Sequence, residues 1–317
     1  MKIGGWQWVL PLAVAAAAGL STVAGCAVLQ NSTTDCGCPP GPDVDVPFPI
    51  DRGDDGPHTP GSYKGLALRL ASGTAPLLVP VDGVIGVVCI GMSNAAQECG
   101  AFITLLGQNW HREVSSAVRF ANCAVGGHAI ERWNDPAYDA ELWGRCVSTI
   151  LPRAGIRPDQ VLVIYHKAAN QFTLGPGGTP LPLYPDPQSD FFAFQRNLSR
   201  FAERVPEWFP SVQVVYTSSR SCGTFTDSAA RGEPLSYEEG HALNQWLEEH
   251  PEVMGVRYLW GPYLWAPSCA DGITNGSGIC YERSDFIEDG VHPSMTGRMK
   301  IAELMHRTWL SEPWYRR

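Results

Sequence analysis

The residue types best suited to chemistry stand together near the end of the chain, in the run DGVHPS at 289–294. Asp289 and His292 are three residues apart, and in a loop the carboxylate can curl back to meet the imidazole. Such a contact fixes the imidazole tautomer and leaves the second ring nitrogen as a general base. For this run alone, a structural His beside a helix cap is the alternative interpretation.

A nucleophile for such a base is available in Ser93, which follows the apolar run VIGVVCI at 84–90. At a strand-to-helix turn a Ser hydroxyl is exposed, and its own N–H lies at the helix N-terminus, where it can face a developing oxyanion. A Ser hydroxyl is a weak nucleophile and needs a base. A plain helix N-cap is the alternative role of Ser93.

Two more loops offer hydrogen-bond donors for an oxyanion. Gly126 and Gly127 follow a second apolar run, and Asn170 follows a third. Glycine lets the main chain approach a ligand closely and present its N–H groups, and a side-chain amide can donate in the same way. The alternatives are an ordinary tight turn for the two glycines and a loop-capping role for Asn170.

These loops need a scaffold that brings them together. Apolar, β-rich runs predict strands at 84–90, 115–125, 161–166, 212–218 and 253–260. Helices are predicted between and after them, at 94–106, 138–151, 189–204, 236–248 and 294–311. The fourth helix opens with a capping-box pattern at Ser236. This alternation predicts an α/β fold with a parallel sheet, helices on both faces and a site at the carboxyl ends of the strands.

In this order the loops resemble the sequence blocks of the SGNH hydrolase superfamily, the relatives of the GDSL esterases. The residues that match those blocks are Ser93, Gly127 (or Gly126), Asn170, Asp289 and His292. The resemblance spans roughly residues 80–313. It implies a flavodoxin-like three-layer sandwich around a central parallel sheet of about five strands, preceded here by an extended N-terminal tether.

The resemblance also implies a mechanism. His292 takes the proton of Ser93, and Asp289 orients the imidazole. The N–H groups of Ser93 and Gly127 and the amide of Asn170 hold the oxyanion, and no metal or organic cofactor is needed. The first block reads GMS rather than GDS, and the third lacks its usual Gly and acidic residue.

The runs GMSNAAQE and GGHAIERW look closer to the carbohydrate-esterase and sialate-acetylesterase branches. The resemblance therefore implies hydrolysis of short acyl esters, with O-acetyl groups on a carbohydrate as the expected substrate. Two alternatives stay open: a cell-surface carbohydrate-binding module on a catalytically weak scaffold, and a lipase or thioesterase of the same superfamily.

The walls of the site are expected to come from four residues on loops at the same sheet edge. The candidate substrate-binding residues are Trp133, Lys167, Arg220 and Trp265. Tryptophan offers a surface on which a sugar can stack, and a guanidinium can bind a carboxylate or a hydroxyl. A packing role for the tryptophans and a salt bridge for Arg220 are the alternatives.

The start of the chain indicates export. Residues 1–25 combine Lys2, a short apolar stretch and small residues, as a signal peptide does. The run VAGC resembles the bacterial lipobox, which implies lipidation at Cys26 and attachment to the cell envelope, at the outer membrane in a Gram-negative host. An uncleaved anchor, or a secreted or periplasmic chain, is the alternative. Residues 26–62, dense in Pro, Gly and Asp, predict a tether, and 63–317 the hydrolase-like domain.

Charge and cysteine content narrow the class of protein. The 317 residues include 32 acidic and 23 basic side chains, a formal net charge of −9. This balance argues against nucleic-acid binding, which needs cationic surface. Ten cysteines indicate an oxidising compartment. Cys269 and Cys280 bracket a Gly-rich loop and are expected to form a disulfide, whereas Cys89, inside an apolar strand, is expected to be a free thiol.

Overall fold

The computed structural model describes residues 75–266, 268–271, 275 and 277–317. The signal peptide, Cys26 and the tether expected at 26–62 lie outside the described residues. Within the part of the chain that is described, no helix is long and apolar enough to cross a membrane.

Six strands form one sheet: β1 (Ile85–Gly91), β2 (Val118–Asn122), β3 (Val161–Lys167), β4 (Val214–Ser218), β5 (Glu252–Val253) and β6 (Val256–Trp260). Their order is β2-β1-β3-β4-β6-β5. Every neighbouring pair is parallel except β5 and β6. All residues of β1 and β3 are buried, which explains why both sequences are mainly apolar without alternation.

The sixth strand is a departure from the sequence expectation. The run 253–260 was predicted as one strand, but the main chain turns at Met254 and Gly255, with φ of 54° and 78°. This left-handed backbone divides the run into the short strand β5 and the longer strand β6, which pair in antiparallel fashion. The fold is therefore mixed α/β with a mostly parallel sheet.

Six α-helices lie in the described part of the chain: α1 (Ser93–Leu105), α2 (Ile130–Trp133), α3 (Leu151–Arg153), α4 (Asp190–Trp208), α5 (Leu235–Glu249) and α6 (Met295–Trp309). The stretch 138–151, predicted as a helix, forms two wide-turn π-helical segments, Ala140–Gly144 and Cys146–Ile150. The capping box expected at Ser236 is not formed, because α5 begins one residue earlier and Ser236 donates to Glu233 instead.

Helices contact both faces of the sheet. Successive residues of a strand point to opposite faces, and in β3 these are Tyr165 and His166. The Tyr165 ring lies 5.5 Å from that of Trp309 in α6, whereas His166 stacks at 3.8 Å on Phe201 in α4. Burial lowers the pKa of His166 to about 3, so this imidazole is a neutral part of the core.

Three disulfides join described cysteines: Cys89–Cys99, Cys123–Cys146 and Cys269–Cys280. The last is the pair that the sequence analysis expected. The expectation of a free thiol at Cys89 is wrong, because α1 runs back along β1 and brings Cys99 to it. Cys222 is disulfide-bonded as well. Disulfides are typical of proteins that fold in an oxidising compartment.

Candidate active site

A pocket of about 260 Å³ lies among the loops that were expected to carry the chemistry. Ser93, Gly127, Asn170 and His292 all line it. Ser93 follows β1, Gly127 follows β2 and Asn170 follows β3, so the loops meet because their strands are parallel neighbours. His292 reaches the pocket from the loop before α6.

Ser93, His292 and Asp289 form a hydrogen-bonded series. Ser93 Oγ lies 2.8 Å from His292 Nε2. The opposite ring nitrogen, His292 Nδ1, contacts Oδ2 of Asp289. The imidazole therefore bridges a hydroxyl and a carboxylate, the arrangement in which it can accept a proton from the hydroxyl.

The Asp289 carboxylate is held in its ionised form. Its other oxygen, Oδ1, accepts hydrogen bonds of 2.9 Å from the main-chain N–H groups of Val291 and His292. Partial burial raises the pKa of Asp289, but these hydrogen bonds and the contact with the imidazole outweigh it and lower the pKa to about 2. A permanent negative charge thus faces His292 at neutral pH.

The loop that carries His292 is fixed by its neighbours. Gly290 has φ of 66°, and a Cβ at this position would overlap the main-chain oxygen of Phe225. Asn94 Nδ2 donates to the main-chain oxygen of Val291 at 2.9 Å, which joins this loop to the helix of the candidate nucleophile. Ser294 then caps α6 by accepting from the N–H of Gly297.

The turn between β1 and α1 presents Ser93. Gly91 has φ of 145°, and a Cβ there would lie 2.6 Å from the main-chain oxygen of Lys167, so a side chain would not fit. Ser93 is the first residue of α1, where main-chain N–H groups precede the first intrahelical bond. In the described structure the N–H of Gly127 also has no partner. Both can donate to a ligand.

Asn170 is buried, and both its side chain and its main chain form hydrogen bonds with neighbouring residues. Its Nδ2 donates to Asp190 Oδ1 at 2.9 Å, and its Oδ1 accepts from Asn197 at 2.8 Å. Its main-chain N–H donates to Glu239 at 2.8 Å, and its main-chain oxygen accepts from Arg220. An amide has two N–H bonds, so one remains for the pocket that Asn170 lines.

The acidic partners of Asn170 were missed by sequence reasoning. Asp190 begins α4 and Glu239 lies in α5, so no local spacing links either acid to Asn170. The neighbouring Glu238 accepts from the main-chain N–H groups of Tyr184 and Phe191 instead. Burial raises the pKa of Asp190, and it raises those of Glu238 and Glu239 to about 7 and about 8. Among the described residues, no three His, Cys, Asp or Glu side chains are placed to hold a metal ion.

Two of the four expected wall residues, Lys167 and Arg220, do line the pocket, but each forms a salt bridge with a buried carboxylate. Lys167 Nζ lies 2.5 Å from Glu98 Oε1, and Arg220 Nε lies 2.6 Å from Glu239 Oε2. Burial raises the pKa of Glu98 and lowers that of Lys167, and the attraction between them opposes both shifts. Arg220 therefore forms the salt bridge that the sequence analysis gave as the alternative to substrate binding.

The other two wall residues require a correction. Trp133 and Trp265 are 0% and 1% exposed, and neither lines the pocket. Trp133 packs edge-on against Trp143 at 4.9 Å, and the indole of Trp265 donates to Glu233 at 3.2 Å. Both rings belong to the core, because a large apolar ring gains more from burial than from exposure on a loop.

An exposed aromatic ring does stand beside the pocket, at a position that the sequence analysis did not select. Phe172 is 62% exposed and follows Gln171, which lines the pocket. The main-chain N–H groups of both residues donate to Glu131 Oε1, at 2.8 and 3.1 Å. The guanidinium of Arg132 lies 5.9 Å from the ring centre. The only signal in the sequence was an apolar residue in a polar loop.

Comparison with known proteins found no match among protein-family models or curated proteins. Among solved structures, the chain is similar to the crystal structure of a carbohydrate esterase family 2 (CE2) enzyme plus carbohydrate-binding domain from Corynascus thermopiles (Myceliophthora fergusii). That likeness has a TM-score of 0.38 and 11% identity, over 73% of this chain and 67% of that chain. The functional argument therefore rests on the geometry of the site.

Proposed function

We propose that this protein is a serine esterase with Ser93 as nucleophile, His292 as general base and Asp289 as the residue that orients the imidazole. The observation that carries the proposal is the 2.8 Å contact between Ser93 Oγ and His292 Nε2, with Asp289 on the other ring nitrogen. A base that already touches the hydroxyl can remove its proton as the oxygen attacks.

The proposed reaction has two steps. His292 takes the Ser93 proton while Oγ attacks the acyl carbon, and the N–H groups of Ser93, Gly127 and the Asn170 amide donate to the oxyanion. The imidazolium, stabilised by Asp289, gives its proton to the departing alcohol oxygen as the ester C–O bond breaks. Water, deprotonated by His292, then attacks the acyl carbon, and Ser93 leaves with its proton restored.

The size of the pocket favours a short acyl group. Its volume of about 260 Å³ lies below the range of about 300–1,000 Å³ that is usual for sites of drug-sized ligands. Of the described residues that line it, four have an apolar side chain with at least a methyl group, and Cys222 adds a disulfide sulfur. The four are Met92, Ala169, Ala230 and Val291. An acetyl group fits such a site, whereas the long chain of a lipase substrate needs a larger apolar surface.

The rim of the pocket favours a carbohydrate as the alcohol part of the ester. The exposed ring of Phe172 offers an apolar face beside Gln171, on which the C–H face of a sugar ring can pack. We therefore propose O-acetyl groups on a carbohydrate as the substrate. This role for Phe172 replaces the one that the sequence analysis gave to Trp133 and Trp265.

We further propose membership of the SGNH hydrolase superfamily and its flavodoxin-like three-layer sandwich. Across the sheet, the parallel strands follow the order β2-β1-β3-β4-β6, and helices contact both faces of the sheet. We also propose export and a lipid anchor at Cys26. The lipobox-like run VAGC and the disulfides support that placement.

The test is hydrolysis of p-nitrophenyl acetate, butyrate and octanoate by residues 27–317, beside the variant Ser93→Ala. We expect kcat/KM to fall steeply with chain length, and Ser93→Ala to lose about 10³-fold or more of the acetate activity, because no other group would replace the nucleophile. The variant Ser115→Ala, in the loop before β2, is the matched control.

Three outcomes are informative. Unchanged activity in Ser93→Ala would refute the nucleophile. Octanoate hydrolysed as well as acetate would favour the lipase alternative. A folded wild type that releases acetate neither from the p-nitrophenyl ester nor from acetylated glycans would favour the carbohydrate-binding module.

A further inference from the structure

The pocket beside Ser93 is cationic in a protein that is acidic overall. Of the described residues that line it, three are Lys or Arg and none is Asp or Glu. The three are Lys167, Arg220 and Arg231. The whole chain carries 32 acidic and 23 basic side chains, so the local excess is opposite in sign to that of the molecule.

Two of these cations are balanced by buried carboxylates, and the third is not. Lys167 is paired with Glu98, and Arg220 with Glu239. Arg231 is exposed, and its guanidinium has no ion-pair or hydrogen-bond partner among the described residues. Its charge is therefore available to a ligand in the pocket.

Arg231 is tied to the segment that carries the exposed aromatic ring. The buried Thr173 donates from its hydroxyl to the main-chain oxygen of Ala230 at 2.7 Å. Thr173 follows Phe172 in the chain, and Ala230 precedes Arg231. One hydrogen bond thus places an apolar ring and an unpaired guanidinium on adjoining parts of the pocket rim.

We propose that the pocket selects esters whose alcohol part carries a negative charge, such as an O-acetylated uronic acid, and that Arg231 binds this charge. The inference rests on the proposed esterase function, because it names the substrate class of the same site. A guanidinium presents its donors in a planar fork that matches a carboxylate. With the acyl carbon at Ser93 and the sugar ring packed on Phe172, Arg231 lines the same pocket and is the cation there that can receive a carboxylate on that sugar.

The experiment compares acetate release from peracetylated glucuronic acid and from its amide, which has nearly the same shape and lacks the negative charge. We expect the wild type to favour the acid in kcat/KM by about tenfold, the value of one charge-assisted contact at a partly exposed site. The ratio is expected to fall close to one in Arg231→Gln and to be largely kept in Arg231→Lys. Arg153→Gln, at the opposite edge of the sheet, is the control and keeps the ratio.

A wild-type ratio at or below one, or an unchanged ratio in Arg231→Gln, overturns the inference. The failure of the esterase proposal is recognised separately, since p-nitrophenyl acetate carries no anionic group and its hydrolysis requires Ser93 but not Arg231. Binding of glucuronic acid, measured by calorimetry with Ser93→Ala and with Ser93→Ala/Arg231→Gln, tests the anion site without turnover. Binding that weakens about tenfold in the double variant supports the inference, and equal binding overturns it.

Discussion

At the scale of single residues, the groups around the candidate oxyanion are ordered by the protein itself. Asn170 uses its amide oxygen, one amide N–H and both main-chain groups in contacts with Asp190, Asn197, Glu239 and Arg220. A donor fixed in this way needs no reorganisation when charge develops on the substrate, which is the condition for strong electrostatic stabilisation. The buried acids are therefore positioning residues for Asn170.

Asp289→Asn tests the negative charge beside His292. We expect kcat to fall about 10³- to 10⁴-fold, because the amide no longer stabilises the imidazolium. The pKa of Asp289 is lowered from 3.8 to about 2 in the folded protein, so its ionisation stabilises the fold above about pH 4 and this contribution is lost as the pH falls towards 2. Urea unfolding should show a stability gap between wild type and variant that narrows over this interval.

The matched control for that measurement is Asp186→Asn, an acid in the loop before α4. A gap for Asp289→Asn that stays constant from pH 5 to pH 2 would show that the carboxylate is not held by these hydrogen bonds.

Individual residues also show where sequence reasoning ends. Ser93, Asn170 and His292 can be selected because each stands close to the end of a regular element, and parallel strands bring such ends to one edge of the sheet. Asp190 cannot, because its contact with Asn170 depends on how α4 packs. Residue type alone misleads for Trp133, whose ring is buried.

At the scale of elements, the strands and the starts of the four long helices were predictable to within a few residues, but the hydrogen bonds at a helix start were not. β1 and β3 are buried on both faces, so their apolar runs fix their positions closely. The capping box predicted at Ser236 does not form because its acidic residue, Glu239, has other partners. Glu239 binds Asn170 and Arg220 instead of the main chain at the helix end. A local capping hydrogen bond is not formed where buried donors elsewhere compete for the same carboxylate.

The disulfide between Cys89 and Cys99 closes the β1–α1 turn around Ser93. The bridge spans 10 residues, and we expect Cys89→Ala/Cys99→Ala to lose about 2–3 kcal/mol of stability. We also expect a lower kcat, because the turn is no longer held covalently. Urea unfolding and p-nitrophenyl acetate kinetics on the same preparation measure both effects.

The variant Cys269→Ala/Cys280→Ala is the comparison, since its bridge spans 11 residues and leaves the Ser93 turn closed. It should lose similar stability and keep more activity. Equal losses of kcat in the two double variants would mean that the Cys89–Cys99 disulfide has no special effect on the nucleophile.

At the scale of the whole molecule, the described fold is joined to a segment of different composition. Residues 26–62 are rich in Pro, Gly and Asp, the composition from which the sequence analysis predicts a tether. With a lipid on Cys26, a segment of this kind would let the pocket work at a distance from the membrane.

Expression of the full chain in a bacterium tests the anchor. We expect the wild type in the membrane fraction with an N-terminal peptide that begins at a lipid-modified Cys26, and Cys26→Ser in the soluble exported fraction. Mass spectrometry of the N-terminal peptide distinguishes the two. An unmodified N-terminus downstream of Cys26 in the wild type would support an ordinary secreted chain.

The hydrogen bond between Thr173 and Ala230 has a practical consequence for protein engineering. It joins two loop excursions, 171–189 and 221–232, that carry Phe172 and Arg231 but none of the residues assigned to acyl transfer. A combinatorial library can exchange the two excursions together while it keeps Thr173 and Ala230, so that their hydrogen bond is retained. Such a library varies which alcohol part of the ester the enzyme accepts. The residues assigned to acyl transfer are then common to every member of that library, provided that the main chain at Phe225 is kept where it packs against Gly290 in the His292 loop.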